Sequence, residues 1–224
     1  MRILFLSSTK VREKNLAKAF CEGAEKAGHA AEFTTNRYGS VQSFGEFDAI
    51  AMVGVKSKRL WSCAQIAGCV PIMLDKGYTR SKLPGEKVWS YWRISLGAHQ
   101  PTELIMRDKM PSDRFDALDI EVLPWSPSGQ HILLAGSSAK YHEFHDLVHP
   151  TKWARRVAKQ IRKKTRMKII YRPKPSWREA TPVSLTEFSG PKDKLLPVLK
   201  NASVVVTHGS NISFEAALFG IPSI

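Results

Sequence analysis

Residues 202–224 constrain the fold more than any other stretch. Val204-Val205-Val206 is an apolar, β-branched run that reads as a buried strand. It stops at Thr207-His208-Gly209-Ser210-Asn211, where glycine permits close backbone approach and Ser or Asn can cap a helix. Phe214, Leu218 and Phe219 then share a helical face, and Gly220 with Pro222 ends the helix and opens another strand. Strand, small-residue turn, helix and strand form the repeating unit of a parallel α/β sheet. The start of such a helix gathers unpaired N–H groups and the positive end of its dipole, so the loop suits an anion. Glu215, one turn in, is placed to accept hydrogen bonds from sugar hydroxyls. Together these residues point to a phosphorylated ligand such as a nucleotide sugar. The plainer alternative is an ordinary βα turn, with His208 a loop residue and Glu215 a solvated helix residue.

Two more strand ends carry similar chemistry. Met167 to Tyr171 reads as a strand that ends at Arg172-Pro173-Lys174-Pro175, where the prolines stiffen a loop holding two cations. In an open parallel sheet that carboxyl end is where ligands bind. Ile132 to Ala135 reads as a third strand, ending at Gly136-Ser137-Ser138 with Lys140 close behind. Backbone amides, hydroxyls and a lysine there suit a diphosphate. His142-x-x-His145 has the spacing of a zinc pair, but no further ligand pattern supports one, so no metal is expected. Pro150-Thr151 then opens a helix running from Lys152 to Lys164.

The string Thr-His-Gly-Ser-Asn-x-x-x-Glu-Ala-x-x-x-Gly-x-Pro at 207–222 resembles the donor-binding half of GT-B glycosyltransferases, particularly capsule-polysaccharide and Kdo transferases and phage glycosyltransferases. The likeness is clearest over residues 131–224 and faint before them. It implies two Rossmann-like doubly wound units facing a cleft, with the acceptor on the first and the donor on the second. The resemblance implies donor contacts from the 207–211 loop, the helix Glu215 and the 172–175 loop. Taken with the strand end at 135, the expected donor site is Gly136, Ser137, Ser138, Lys140, Arg172, Lys174, His208, Gly209, Ser210, Asn211 and Glu215. The family often has Arg/Lys-Pro-His-Pro at the second strand end. Here Lys174 replaces that histidine, keeping positive charge but losing titration near neutrality. Nucleotide-sugar 2-epimerases carry a similar string on the same architecture. The family's donor half continues past Gly-x-Pro, so a chain ending at Ile224 is expected to be a short or truncated relative.

The first half reads as a separate α/β unit over residues 1–125, with strands at Arg2–Leu6, Ala31–Thr34, Phe47–Val53 and Val70–Leu74. Helices are expected over Asn15–Ala27 and Lys58–Ala67. The loops after the strands are Ser7 to Lys10, Gly54-Val55-Lys56, and Asp75-Lys76-Gly77-Tyr78-Thr79-Arg80. Residues 78–125, with Trp89, Trp92 and Trp125, lack regular periodicity. Pro124-Trp125-Ser126-Pro127-Ser128-Gly129 marks the boundary to a second domain over residues 130–224. No Gly-x-Gly-x-x-Gly follows the first strand, which argues against a nicotinamide- or flavin-binding unit. Asp75, at a strand end, is the expected catalytic base, with His208 second; a turn-forming Asp75 is the alternative.

Composition narrows the partners. The 224 residues carry a net charge of +14 with a pI near 9.8. Nine Lys or Arg residues and no acidic ones lie between Lys152 and Lys168, while Trp153, Val157 and Ile161 recur on one stripe. Such a face is either simply solvated or a docking surface for DNA or an anionic membrane. No run of about eighteen apolar residues is present, so no spanning helix is expected. The start is too short in apolar length for a signal peptide, and three cysteines form no disulfide framework, which agrees with a cytoplasmic protein. The expected activity is transfer of a sugar from a nucleotide sugar, foremost a UDP-sugar used as co-substrate with no tightly bound cofactor, to a polyanionic acceptor. A modified base of phage DNA is the first candidate acceptor and a capsule or lipopolysaccharide sugar the other. The alternatives are a 2-epimerase and a non-catalytic nucleic-acid-binding protein of the same fold.

Overall fold

In the first unit, Met1–Leu118, near-continuous apolar strands are covered on both faces, as parallel sheets require. The computed structural model describes residues 1–37, 39–55, 57–78, 91–108, 111–126 and 128–224. Lys56, Thr79, Arg80, Trp89 and Pro127 lie outside the described residues. Strands β1 (Arg2–Leu6), β2 (Ala30–Thr34), β3 (Ala49–Val53), β4 (Val70–Lys76) and β5 (Trp92–Leu96) form one sheet in the order β2-β1-β3-β4-β5. β1 to β4 pair in parallel and β5 runs antiparallel on β4, with Ile72 opposite Leu96. The order reverses between β1 and β3.

Strand alternation sorts the side chains by face. Ile3, Phe5, Ala49, Ala51, Val53, Ile72 and Leu74 pack on Ala17 and Cys21 of α1 (Val11–Lys26). Leu4, Leu6, Ile50, Met52 and Met73 are buried at the alternate positions. Helix α1 begins four residues before the expected Asn15. Its N-cap, Lys10, is extended and makes no side-chain cap bond, so no capping residue signals the start. By contrast, Ser57 accepts from the Leu60 amide at 3.2 Å and starts α2 (Lys58–Ile66) where the sequence places it. The irregular stretch contains β5, α3 (Thr102–Asp108) and α4 (Asp113–Asp116), and a 3-10 helix spans Gly39–Glu46.

The second unit, Asp119–Ile224, includes the 124–129 segment read as the domain boundary. Leu123 and Ser126 donate to the carbonyls of Leu218 and Gly220, and this pairing ties that segment to the unit. Its sheet has the order β8-β7-β6-β9, from β6 (His131–Ala135), β7 (Lys168–Arg172), β8 (Glu187–Phe188) and β9 (Ala202–Thr207), all parallel. Ser223 bridges to Val205 in parallel, so the chain after Pro222 continues the sheet beyond β9. Helices α5 (Ala139–Phe144), α6 (Pro150–Lys164), α7 (Leu195–Lys200) and α8 (Ile212–Leu218) complete the unit.

Both faces of this sheet are covered, which makes the unit doubly wound. Leu134, Ile169 and Tyr171 pack against Ala154 and Ala158 of α6, with Trp153, Val157 and Ile161 beside them. Leu133, Ala135 and Val205 face Leu199 of α7 and Ile212 and Ala216 of α8. Burying Leu133 and Leu134 fully contributes roughly 1.5–3 kcal/mol each relative to exposure. Gly220, at φ +67°, turns the chain out of α8 against the Pro124 carbonyl, a place with no room for a side chain.

Candidate functional site

Parallel order puts the carboxyl ends of β7, β6 and β9 side by side, and with them the three loops singled out in the sequence. The contacts there divide residues that build the loops from residues left to meet a ligand. Thr207 Oγ1 donates to the Ala135 carbonyl at 2.8 Å, and Ser137 Oγ donates to the Gly209 carbonyl at 3.3 Å. Tyr141 OH donates to the His208 carbonyl at 3.1 Å. Ser137 is buried and bonded within the protein, so the expected hydroxyl contact to a diphosphate is replaced by a loop-to-loop stitch. Gly136 is likewise buried, its amide on the Arg172 carbonyl and its Cα against the Tyr171 ring.

Arg172 differs from expectation in the same way. It is 6% exposed; Nη1 donates to Ser189 Oγ at 2.7 Å and Nη2 to the Asp193 carbonyl at 2.8 Å. Burial pushes its pKa down and Asp193 partly restores it. The guanidinium thus anchors the 189–193 loop instead of standing open at the strand end. Lys174 and Lys140 are exposed. Lys174 lies in the loop after β7 and Lys140 in the first turn of α5, so both are exposed cations near the strand ends.

His208 is half-buried, its ring 3.9 Å from that of Trp153. Its Nε2 lies 2.8 Å from Nε2 of His142, which is 2% exposed on α5. His142 Nδ1 meets the Val148 carbonyl, which only accepts, so Nδ1 carries the proton and Nε2 is a lone pair. His208 must therefore donate from Nε2, which leaves its Nδ1 an unprotonated, buried acceptor without a partner among the described residues. Burial, then His142 and His145, push the His208 pKa down to about 4, and burial lowers that of His142. Both rings are neutral at pH 7. His208 thus brings no positive charge to the 207–211 loop. The His142-x-x-His145 pair is also explained, since both ring nitrogens of His142 are engaged and His145 lies against Tyr141, 4.4 Å between ring centroids.

Gly209 has φ +153°, and a Cβ there would fall on the Tyr141 hydroxyl and ring. Tyr141 is buried and hydrogen-bonded, so it has little room to yield. Gly209→Ala is expected to lose about 1–3 kcal/mol in urea unfolding. Wild-type stability in that variant would mean that Tyr141 moves aside freely.

At the start of α8 neither expected cap forms in full. Asn211 is the N-cap in helical conformation with no side-chain bond, and Ser210 Oγ takes the Ile212 amide at 3.4 Å. Glu215 lies half-buried in the first turn. The core face of α8 is Ile212, Ala216 and Phe219, not the expected Phe214, Leu218 and Phe219. Residues Phe214 and Leu218 are only half-buried.

Asp75 belongs to the first unit, at the end of β4. Its Oδ1 accepts the Lys76 amide at 2.8 Å, while Oδ2 lies 3.6 Å from His99 Nε2 and 3.9 Å from Arg93 Nη2. Arg93 in turn donates to Tyr78 OH and Gln100 Oε1. Burial opposes ionisation of Asp75, but His99, the Lys76 amide and Arg93 outweigh it and lower the pKa. The turn-forming alternative therefore holds in part, because the carboxylate caps its own loop. Sequence reading missed Arg93, His99 and Gln100, which fell in the stretch without periodicity.

No protein-family profile matches the chain, and no curated protein matches its sequence. Solved structures do resemble it. The chain is similar to the KpsC beta Kdo 2,7 transferase of Thermosulfurimonas dismutans, with TM-score 0.58 and 12% identity over 99% of this chain and 77% of that one. It is also similar to the KpsC beta Kdo 2,4 transferase of the same organism, with TM-score 0.53 and 13% identity over 98% of this chain and 78% of that one. At such identity the likeness shows the fold: an α/β chain of parallel-dominated sheets, in keeping with Rossmann-like units.

Proposed function

We propose that the chain is a nucleotide-sugar-dependent glycosyltransferase whose second unit holds the donor. The observation that carries the reading is the gathering of loops 136–138, 172–175 and 207–211 at the carboxyl ends of three adjacent parallel strands. The fold likeness to two proteins named as Kdo transferases supports it. In this reading Lys174 and Lys140 meet the diphosphate, Ser210 and Asn211 border it, and Glu215 takes a sugar hydroxyl. The donor is a UDP-sugar. Asp75 and His208, the two candidate bases, both hold a proton weakly, because their pKa values are lowered. Transfer then leans on stabilising the leaving diphosphate more than on a strong base.

The acceptor is a polyanion, with a modified DNA base the first candidate. Charge alone supports this part. Lys152, Arg155, Arg156, Lys159, Lys163 and Lys164 are exposed on α6, while Arg162 is turned to the carbonyls of Thr165, Met167 and Leu185. Exposed cations on one helix suit the regular phosphates of a nucleic acid.

Calorimetric titration with UDP-, GDP- and CMP-sugars tests the donor reading. One of them is expected to bind, and His208→Ala or Ser210→Ala to weaken it while thermal stability stays near wild type for Ser210→Ala. No heat with any nucleotide sugar would reject the activity. Unchanged affinity in both variants would move the donor away from the 207–211 loop.

A further inference from the structure

The first unit has its own crossover, between β1 and β3, and a charged pair is built into it. Glu13, in the first turn of α1, is 1% exposed, and its Oε2 lies 2.9 Å from Nη2 of Arg37. Arg37 Nε donates to the carbonyl of Ser7, the residue after β1. These bonds use two of the five N–H donors of the guanidinium. Both hydrogens of Nη1 remain without a partner among the described residues.

Arg37 also lines a crevice of about 10 Å³ at the carboxyl ends of β1 and β3, together with Leu6, Met52, Gly54, Ser57 and Leu60. It has room for about one water, so a larger anion would meet the guanidinium at its mouth. Ser57 Oγ accepts the Leu60 amide, and among the described residues its hydroxyl hydrogen has no acceptor, so it can donate. A buried pair of this kind adds little stability over apolar residues of the same size. What it does provide is an arginine fork held rigid at the place in an open α/β sheet where ligands bind. Three features coincide: a fixed guanidinium with donors to spare, a hydroxyl lining the same crevice, and the position of that crevice at the strand crossover.

We infer that this unit binds a phosphate group, with Arg37 as the fork and Ser57 as a second donor. Glu13 is the positioning residue that, with the Ser7 carbonyl, fixes the fork and leaves Nη1 free to meet the ligand. The inference is independent of the donor reading, which concerns the other unit. On that reading, the group bound here belongs to the acceptor.

The test is NMR of the arginine side-chain Nε–H signals and the Ser57 amide in the full chain, titrated with inorganic phosphate at constant ionic strength. No nucleotide sugar is needed. A saturable shift of the Arg37 and Ser57 signals is expected. Arg37→Lys keeps the charge beside Glu13 but loses the fork, and should weaken phosphate binding about tenfold. The double variant Glu13→Gln, Arg37→Met leaves no lone buried charge; it should melt near wild type and show no shift at Ser57. Dimethyl phosphate in a parallel arm separates a diester backbone from a terminal phosphate. The inference is overturned if the Arg37 signal stays put, or if it drifts without saturation together with the arginines of α6. It is also overturned if the Ser57 shift survives in the double variant.

Discussion

Lys174→Ala is expected to lower the rate of sugar transfer about a hundredfold or more while leaving the melting temperature unchanged. Lys174 follows the buried strand β7 and stands between Pro173 and Pro175; its carbonyl accepts the Trp177 amide at 2.9 Å, while its exposed ammonium has no hydrogen bond or ion pair among the described residues. The prolines hold the backbone, so the cation is presented with little loss of entropy. Charge on the departing nucleoside diphosphate grows toward the transition state, and a nearby cation then gains more there than in the ground state. Removing one such donor typically costs about 2–4 kcal/mol of barrier. The signature is a fall in kcat with KM little changed. Turnover within a few-fold of wild type would sink the assignment.

The neighbouring cation behaves in the opposite way. Arg172→Ala removes a buried guanidinium and leaves Ser189 Oγ and the Asp193 carbonyl without their donor. Breaking charge-assisted bonds in a buried place costs about 2–4 kcal/mol of folding stability. Activity lost by that variant at low temperature would come from the displaced 189–193 loop. Comparing the two in one experiment, melting temperature beside kcat, separates a lysine that meets substrate from an arginine that holds a loop. Two residues apart in sequence, they differ because Arg172 is the last residue of β7 and reaches the loop that follows β8, whereas Lys174 lies past the strand.

That contrast marks what the sequence could disclose. Strand positions were readable because β1, β3, β6 and β9 are apolar runs flanked by small residues, a pattern with one structural solution. The loops after β6, β7 and β9 were readable for the same reason, since Gly, Pro and Ser cluster where the chain must turn. Whether a polar side chain in those loops turns inward was not. Ser137 and Ser210 are both serines after a strand, yet one is spent on the Gly209 carbonyl and the other caps an amide loosely. The partners of Arg172 come from 189–193, and those of Asp75 from 93 and 99, segments with no periodicity to place them. The Glu13–Arg37 pair was hidden for a related reason. A Glu and an Arg 24 positions apart have no local pattern, and only the β1-β2 pairing brings the chain after β2 back to the end of β1.

The histidine pair leads to the second large effect, an acid-dependent loss of stability. His142 and His208 share one proton between their Nε2 atoms, and the only other donor, His142 Nδ1, is held by the Val148 carbonyl. Adding a proton to His208 at Nδ1 puts a charge where no acceptor waits among the described residues; adding one to His142 sets two N–H groups face to face. Of the surrounding groups, Tyr141 and Trp153 are uncharged and His145 is a further base, so none of these neutralises the new charge. In the folded protein His208 therefore takes up a proton only near pH 4, whereas in the unfolded chain it does so near 6.5. Between those values the unfolded state binds more protons, so stability rises with pH across the window and is lost as pH falls through it. The full difference is worth about 3 kcal/mol, at about 1.4 kcal/mol per tenfold change in proton affinity. The two rings titrate as a coupled pair, so the loss is expected as one broad step. Urea unfolding from pH 7 to pH 4 should show it. His142→Gln keeps a polar partner near His208 and should make the protein less stable at pH 7 yet flatter in its response to acid. If stability is level between pH 6.5 and pH 4.5 in the wild type, the His142–His208 hydrogen bond is not a neutral, shared-proton contact, and the 207–211 loop must be held by Tyr141, Ser137 and Thr207 alone.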